Sequence, residues 1–300
     1  MLPSCWQRFE FFVSLVILAV SLDGVFCRNL RRRSITPPEP KWGGVVNKKM
    51  THDKMLSLWK NRPTKNFWEE SGQFEGDIIL TGSERRTGVI NKAKRWPDGV
   101  IPYLFDDGHF SEDEKKLIKS VMEEYHIQTC IKFRPHRKSD ADFIIFRSNE
   151  PGCKSAVGRK RGRQKINLQP DTCLHFGTIA HELLHAIGFF HQQSASDRDD
   201  YVSIKWKNIT KGMGHNFQKY SPSSITDFGV GYDFDSVMHY SRKAFSKNGE
   251  DTIVPHDPTV EIGQRDGLSK KDIIKANRMY KCNKDGGGGY EKEEKKPYEQ

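Results

Sequence analysis

Long hydrophobic runs are missing from this chain of 300 residues, of which 35% are hydrophobic and 29% charged. No stretch reaches the roughly 18 consecutive apolar residues that a membrane-spanning helix needs, which excludes a multi-pass membrane protein. No repeat with a period of about 20–50 residues is visible, which argues against solenoids and propellers. Cysteine is also scarce: six residues are too few for a small disulfide-framework protein, yet too many to ignore.

Acidic residues are outnumbered by basic ones, and the formal net charge is +10. Residues 1–86 and 87–300 each contribute +5, so the excess is spread along the chain and does not form one nucleic-acid footprint. The densest basic run, residues 154–165, has a composition that also suits a localisation signal or a nucleic-acid patch. Because the features below indicate export from the cytosol, we interpret it as a solvated basic face and predict no nucleic-acid partner.

The one clear apolar run is short and lies at the start of the chain. Residues 11–20 (FFVSLVILAV) follow Arg8 and precede small or weakly polar residues. This pattern predicts a secretory signal peptide, residues 1–27, whose cleavage point lies between 24 and 27. An uncleaved membrane anchor is the alternative, and the shortness of the run argues against it. We therefore predict a secreted, extracellular protein with no stable membrane association, in a compartment where cysteines pair.

Local patterns predict a folded domain from Trp96 onward. Residues 100–105 (VIPYLF) and 142–147 (DFIIFR) are typical of strands. Capping boxes predict one helix from Ser111 to about His126 and another from Ser269 toward Tyr280. Residues 283–300 are rich in glycine and charge, and this composition predicts a disordered tail.

Residues 181–191 read HELLHAIGFFH. On a helix, residues four apart lie on one face, so His181 and His185 can point at one metal ion. Gly188 can adopt the left-handed conformation that ends a helix, after which the chain turns back and His191 supplies a third nitrogen. Three neutral imidazoles with one open position are the ligand set of a catalytic zinc site, whereas structural zinc sites are closed and rich in cysteine.

Two further features indicate chemistry beyond metal binding. Glu182 lies beside the ligand set without being forced to ligate, and a carboxylate next to zinc-bound water is the general base that hydrolysis needs. Downstream, SVMHY at 236–240 matches the Met-turn that accompanies the long zinc motif in metzincins. Met238 is then expected beneath the metal site as an apolar floor.

With these motifs the chain resembles the astacin family of zinc endopeptidases. Further matching motifs are FEGDI at 74–78, RWPDGVIPY at 95–103, GCKSAVG at 152–158, DRDDYV at 197–202 and IGQR at 262–265. The resemblance implies an α+β fold in which a twisted mixed sheet and two long helices lie above an irregular C-terminal subdomain, with the active-site cleft between them. It also implies a catalytic domain at residues 87–282 and one zinc ion per chain.

The resemblance assigns roles to individual residues. It implies that His181, His185 and His191 are the zinc ligands and that Glu182 is the general base. Tyr240 matches a tyrosine that binds the zinc as an extra ligand and swings away to stabilise the oxyanion when substrate enters.

The resemblance also implies a latent precursor. Asp77 matches a propeptide aspartate that ligates the zinc and displaces the catalytic water, and a carboxylate is a competent zinc ligand. The family's usual distance to the Trp-Pro motif places activation between Arg86 and Thr87, after a dibasic pair, so residues 28–86 are the expected propeptide. A trypsin-like protease is the expected activator.

One departure from the family pattern concerns maturation. In the family the new N-terminus pairs with a glutamate directly after the third histidine, where this chain has Gln192. The arginine usually found three residues further on is Ala195. Because a neutral amide cannot neutralise an ammonium group, we expect activity to depend less on the exact N-terminus than in the family.

Four cysteines lie in the expected mature domain, and four cysteines allow three pairings. The family resemblance selects Cys130–Cys282 and Cys153–Cys173. Asn208-Ile209-Thr210 is the only N-glycosylation sequon, and whether it is used stays open.

Substrate preference is also implied by the resemblance. In family members that prefer acidic residues, an arginine in the IGQR stretch lines the pocket just beyond the scissile bond, and Arg265 matches it. A fixed guanidinium favours Asp or Glu there. The neighbouring Asp266 can partly neutralise this charge, whereas Lys154, Arg159 and Lys160 lie near the family's substrate-pairing edge strand and would add to the same bias.

The sequence therefore predicts a secreted, monomeric zinc endopeptidase, made as a zymogen, that cleaves internal bonds of proteins or peptides with a preference for acidic P1′ residues. The alternative from another class is a catalytically inactive, zinc-stabilised secreted binding protein. Zinc-dependent turnover separates the two.

Overall fold

The computed structural model describes residues 71–80, 92–170 and 172–282, all of which belong to one unit that spans residues 43–300. The predicted signal peptide, most of the predicted propeptide, the Arg86–Thr87 cleavage site and the predicted tail lie outside the described residues. Within those residues, no helix has both the length and the apolar character needed to cross a membrane.

A five-stranded sheet organises the first half of the described domain, in the order β2-β1-β3-β5-β4. Its strands are β1 (Val100–Phe105), β2 (Lys132–Pro135), β3 (Phe143–Arg147), β4 (Cys153–Ser155) and β5 (Arg163–Leu168). Strands β2, β1, β3 and β5 are parallel, and β4 is antiparallel to β5 at the edge. The strand predicted at 100–105 coincides with β1, and the one predicted at 142–147 is β3, one residue shorter.

Three α-helices accompany the sheet in the described part of the chain: α1 (Glu112–Gln128), α2 (Phe176–Ile187) and α3 (Lys270–Tyr280). Both predicted capping boxes are present: the hydroxyls of Ser111 and Ser269 each accept from the N–H of residue N3, and the N–H of each serine donates to the N3 carboxylate. These reciprocal bonds satisfy backbone N–H groups that a helix start leaves unpaired. The first helix runs two residues past His126, and the last ends at Tyr280 as predicted.

The main core lies between the sheet, α1 and α2. Buried side chains of α1, such as Ile118 and Met122, pack in the same cluster as Ile101 of β1 and Leu183 of α2. The fully buried phenol of Tyr125 donates to the Ala180 carbonyl at 2.7 Å and ties α1 to α2. Helix α2 is buried from Gly177 to Ile187, so any polar side chain on it faces the interior and needs a partner there.

Between α2 and α3 the chain is irregular. It forms short 3-10 turns and a two-stranded antiparallel sheet of β6 (Val202–Ile204) and β7 (Ile253–Pro255). A second buried cluster, which includes Phe217 and Tyr240, supports this part. The expected α+β architecture is therefore confirmed, with a mixed sheet, few helices and an irregular second half. The structure also contains the Cys130–Cys282 and Cys153–Cys173 disulfides.

Candidate active site

Helix α2 and the turn after it bring three histidines together. His181 and His185 lie one turn apart on the helix, which ends at Gly188. The φ of Gly188 is 125°, a conformation that a residue with a Cβ rarely adopts. Its N–H donates to the His185 and Leu184 carbonyls, and the chain then folds back so that the His191 ring lies 5.2 Å from that of His181. The motif therefore forms the cluster that its spacing predicts.

Hydrogen bonds at Nδ1 orient two of the imidazoles. His181 Nδ1 lies 2.7 Å from the Val237 carbonyl, and His185 Nδ1 lies 2.7 Å from the Phe189 carbonyl. A carbonyl oxygen only accepts, so Nδ1 carries the proton in both rings. The Nε2 lone pairs then face the centre of the cluster, as metal binding requires.

Asp77 places its carboxylate at the centre of the cluster. Its oxygens lie 3.0 Å from His181 Nε2, 3.2 Å from His185 Nε2 and 3.2 Å from His191 Nε2. One candidate ligand atom from each of the four residues lies within 4.8 Å of the others. The Nε2 lone pairs and the carboxylate oxygens are all acceptors, so this buried group requires a cation between them. Nitrogen and oxygen ligands in this number suit zinc.

In the absence of metal, the pKa values of Asp77 and the histidines indicate which of these groups are charged. Burial would raise the pKa of Asp77, but the nearby His191 and His185 hold it well below its usual range. Burial lowers the pKa of His181 to about 3, whereas the Asp77 and Glu75 carboxylates outweigh burial at His191 and raise its pKa to about 9. Without metal, His191 is therefore the group that carries the positive charge of the site, as a proton. A metal ion has to displace this proton in order to bind.

Glu182 is a buried carboxylate whose two oxygens have no hydrogen-bond partner among the described residues. Burial raises its pKa well above the usual value, the charge of Asp77 adds to this, and the charge of Arg265 opposes it. A buried carboxylate without a partner costs free energy of folding. We therefore interpret Glu182, which lies next to the histidines, as a catalytic group and not a structural one. Perturbed carboxylates of this kind are typical of acid–base catalysts.

Residues 74–78 deliver Asp77 by way of a tight loop. Glu75 and Gly76 both have positive φ, 46° and 85°, which reverses the chain directly before Asp77. On the far side, Ile79 N donates to the Ser155 carbonyl at 2.8 Å, and Ser155 N donates to the Asp77 carbonyl at 3.0 Å. The segment is thus held against the free edge of β4, and Ile78 is buried.

Tyr240 is fully buried, with its ring centroid 4.7 Å from that of His191. Its hydroxyl donates to the main-chain carbonyl of Glu75. The Tyr240 hydroxyl is therefore hydrogen-bonded to the same segment, residues 74–78, that carries Asp77. Met238 is also buried, and its carbonyl accepts a bond from Gln192 N at 3.0 Å.

Arg265 lies half-buried beside the site. Its Nη1 donates to the His239 carbonyl at 3.1 Å and to the Gln264 carbonyl at 2.7 Å, and its charge acts on Glu182 and His181. The main chain of Arg265 touches α2: a Cβ at Gly177 would lie 1.9 Å from the Arg265 carbonyl oxygen. Only glycine allows this approach.

Two of the basic residues expected to strengthen the acidic preference are already paired. Lys154 lies 2.9 Å from Glu150, and Arg159 lies 2.8 Å from Asp142. Because a carboxylate already neutralises each of these cations, their attraction for an acidic substrate is weaker than that of an unpaired charge. Burial lowers the pKa of Lys160, the third of them, to about 8.

Several residues that shape the site were missed by sequence reasoning. Asp272 of α3 accepts from Ser236 Oγ at 2.7 Å and from Val237 N at 2.9 Å, so it holds the turn whose carbonyl orients His181. Glu75 contacts His191 Nδ1 at 2.9 Å. The only sequence signal for Glu75 is its place two residues before Asp77. Asp272 was predicted only as part of a capping box.

Gln192 and Asn208 have partners that the sequence did not show. The buried Lys275 donates to Gln192 Oε1 at 2.7 Å. Asn208 is 9% exposed, and its Nδ2 donates to the Asp251 carbonyl at 2.7 Å. The nitrogen that a glycan would use is therefore already bonded to the main chain.

The α+β fold, three histidines around the Asp77 carboxylate and a buried Glu182 with no hydrogen-bond partner among the described residues are typical of a zinc-peptidase centre. The model of the astacin family of peptidases matches residues 88–281, and the chain belongs to this family, whose cofactor is zinc.

Individual relatives agree with this assignment. The chain is 45% identical to zinc metalloproteinase nas-14 of Caenorhabditis elegans over 190 residues, 63% of this chain and 38% of that protein. It is 41% identical to meprin A subunit beta of Homo sapiens over 212 residues, 70% and 30% of the two chains. The chain thus spans less than half the length of these curated relatives. Among solved structures, high choriolytic enzyme 1, a hatching enzyme zinc-protease from Oryzias latipes, superposes with a TM-score of 0.59 at 38% identity, over 69% of this chain and all of that one.

Proposed function

We propose that this chain is the latent precursor of a secreted zinc endopeptidase that hydrolyses internal peptide bonds of proteins. The single observation that carries the proposal is Glu182, a buried carboxylate without a hydrogen-bond partner among the described residues that lies beside three convergent imidazoles. The two disulfides suit an oxidising, extracellular compartment.

The proposed mechanism assigns one task to each group. His181, His185 and His191 would hold zinc through Nε2. When bound, zinc supplies a Lewis acid that polarises the scissile carbonyl and lowers the pKa of the attacking water to roughly 7. Glu182 accepts the proton of that water and delivers it to the leaving amine, a task suited to its raised pKa.

The oxyanion is assigned to Tyr240. Its hydroxyl now donates to the Glu75 carbonyl, so removal of the segment that contains Glu75 releases the donor. A preorganised donor aimed at developing negative charge lowers the barrier for acyl transfer. The phenol lies next to the proposed ligand His191, with 4.7 Å between the two ring centroids.

Residues 28–86 act as the propeptide in this proposal. Asp77 occupies the position between the histidines where substrate and water would otherwise react, so the chain is inactive until a trypsin-like protease cuts after Arg86. The mature catalytic domain is then residues 87–282, which we propose to be a monomer.

Lys275 bears on how strictly the new N-terminus is required. This lysine already donates to Gln192, so Gln192 has a cationic partner before processing. We therefore propose that chains starting at Thr87 or a few residues earlier have similar activity. A large loss of kcat/KM in the longer chain would contradict this.

The proposed P1′ preference rests on Arg265, which lies half-buried beside the site and whose charge acts on both Glu182 and His181. Substrates with Asp or Glu directly after the scissile bond should be favoured through charge-assisted bonds. Arg265→Gln should remove this enrichment while cleavage itself persists.

The decisive experiment compares trypsin-processed wild type with processed Glu182→Gln on a random peptide library. Glu112→Gln is the matched control, because it makes the same chemical change on the exposed side of α1. Wild type and the control should cleave, and Glu182→Gln should retain zinc but lose cleavage by at least about 100-fold. If zinc-loaded, disulfide-paired wild type cleaves nothing, the chain is instead a zinc-stabilised binding protein.

A further inference from the structure

The three histidines of the cluster differ in the hydrogen-bond partner of Nδ1, the outer nitrogen that points away from the proposed metal position. Main-chain carbonyls accept from Nδ1 of His181 and His185. At His191 the partner is a carboxylate, because Glu75 Oε2 lies 2.9 Å from Nδ1. His191 Nε2 faces Asp77 like its two neighbours. One of the three proposed ligands therefore has a charged outer partner, and that partner comes from the segment that also supplies Asp77.

The surroundings of Glu75 show that this contact is built into the fold. The residue is 1% exposed, and its other oxygen, Oε1, accepts from Ser194 Oγ at 3.4 Å. Burial raises the pKa of the neighbouring Tyr220 phenol, and the charge of Glu75 adds to that rise. A carboxylate as deeply buried as this needs a strong donor, and His191 Nδ1–H is the donor in place.

A carboxylate on the outer nitrogen of a metal-bound imidazole fixes the ring and makes its inner nitrogen a better ligand. Loss of such a partner typically costs about 10–100-fold in metal affinity. The backbone at Glu75 has positive φ, which costs free energy for a residue with a side chain. The conformation that delivers this carboxylate is therefore maintained by its surroundings.

We propose that Glu75 is a positioning residue of the zinc site, supplied to the catalytic domain by the chain's own propeptide, so that the latent chain holds zinc more tightly than the processed enzyme does. The proposal rests on the proposed function, in that residues 28–86 are removed on activation. Processing then takes away a direct ligand, Asp77, together with the outer partner of His191. Zinc is thus retained most firmly before activation.

The test measures zinc release and needs no peptidase activity. Zinc-loaded, unprocessed wild type, Glu75→Gln and the Glu112→Gln control are each mixed with an excess of a chromogenic zinc chelator. Gln keeps the shape of Glu and one acceptor oxygen but removes the charge. Release from Glu75→Gln should be about 10–100-fold faster than from wild type, with the control unchanged. Wild-type release from Glu75→Gln would overturn the proposal.

A second comparison covers the case in which Glu75→Gln does not fold. Unprocessed Asp77→Asn lacks the direct ligand but retains Glu75, whereas the processed wild type lacks both. The processed protein should release zinc faster than Asp77→Asn does, and equal rates would overturn the proposal. If the zinc results hold but the processed protein cleaves no peptide, the proposed function fails while the role of Glu75 stands.

Discussion

Replacing Asp272 with asparagine should damage both the stability of the domain and its metal site. The buried carboxylate accepts from Ser236 Oγ at 2.7 Å, from Val237 N at 2.9 Å and from Ser269 N at 3.1 Å. Asparagine keeps one acceptor oxygen and turns an NH₂ group toward a donor. At least one charge-assisted bond, of about 1.5–3 kcal/mol, is therefore lost.

Part of this loss is offset, because burial and the nearby Asp233 raise the pKa of Asp272 and so make its charged form costly. A net destabilisation of about 2 kcal/mol is expected. At about 2–4 °C per kcal/mol for a domain of this size, Tm should fall by about 4–8 °C. Because Val237 orients His181, zinc release should also become faster.

Thermal scans of the zinc-loaded, unprocessed chain measure this effect, and Asp266→Asn is the matched control, an exposed aspartate in the turn before α3. A fall in Tm of less than about 1 °C, with unchanged zinc release, would refute the reasoning. It would mean that the turn at 236–240 is held by its own packing, so that the bonds from α3 are redundant.

Three further predictions concern other parts of the chain. In metal-free protein, the pKa of His191 is raised to about 9. A raised folded-state pKa contributes stability that is lost as pH rises through it, so Tm should fall between about pH 6.5 and 9, and zinc should remove this dependence. Gly177→Ala should lower Tm by several degrees, because its Cβ would meet the Arg265 carbonyl at 1.9 Å. Asn208 should carry no glycan after secretion from eukaryotic cells, because a glycan on Nδ2 would disrupt its bond to the Asp251 carbonyl at a residue that is only 9% exposed, and intact mass should not change with a glycosidase.

Each of these has a contradicting result. A Tm of metal-free protein that is flat or rising across that pH range would place the proton elsewhere than on His191. A wild-type Tm for Gly177→Ala would show that α2 and the Arg265 loop separate at little cost; Gly214→Ala is the control, because its Cβ would meet only the Trp206 ring, at 3.9 Å. A mass loss of one glycan on enzymatic treatment would show that the domain folds without the bond from Asn208 to Asp251.

Features with a local cause were predictable from sequence. Strand β1 and the starts of α1 and α3 followed from short apolar runs and capping boxes, because such signals lie within a few residues of the element that they determine. His181 and His185 followed from helical spacing. The role of Gly188 also followed, because ending a helix at that point is a local conformational requirement.

Contacts between distant segments were not predictable in this way. Glu75 and His191 are 116 residues apart, and Lys275 and Gln192 are 83 apart. Whether two such side chains meet depends on how the whole sheet and its helices pack, and a single sequence carries no record of that. The burial of Asn208 was missed for the same reason, since its partner Asp251 lies 43 residues away.

The Cys130–Cys282 disulfide has a mechanical consequence. It joins Cys282, two residues past the end of α3, to the short segment between α1 and β2. A force applied to the chain beyond Cys282 is therefore transmitted to the main sheet and not along α3. Asp272 and Lys275, which brace the metal site from that helix, are thereby shielded from strain that arises further along the polypeptide. Breaking this one bond would let such strain pass along α3 to the turn that orients His181.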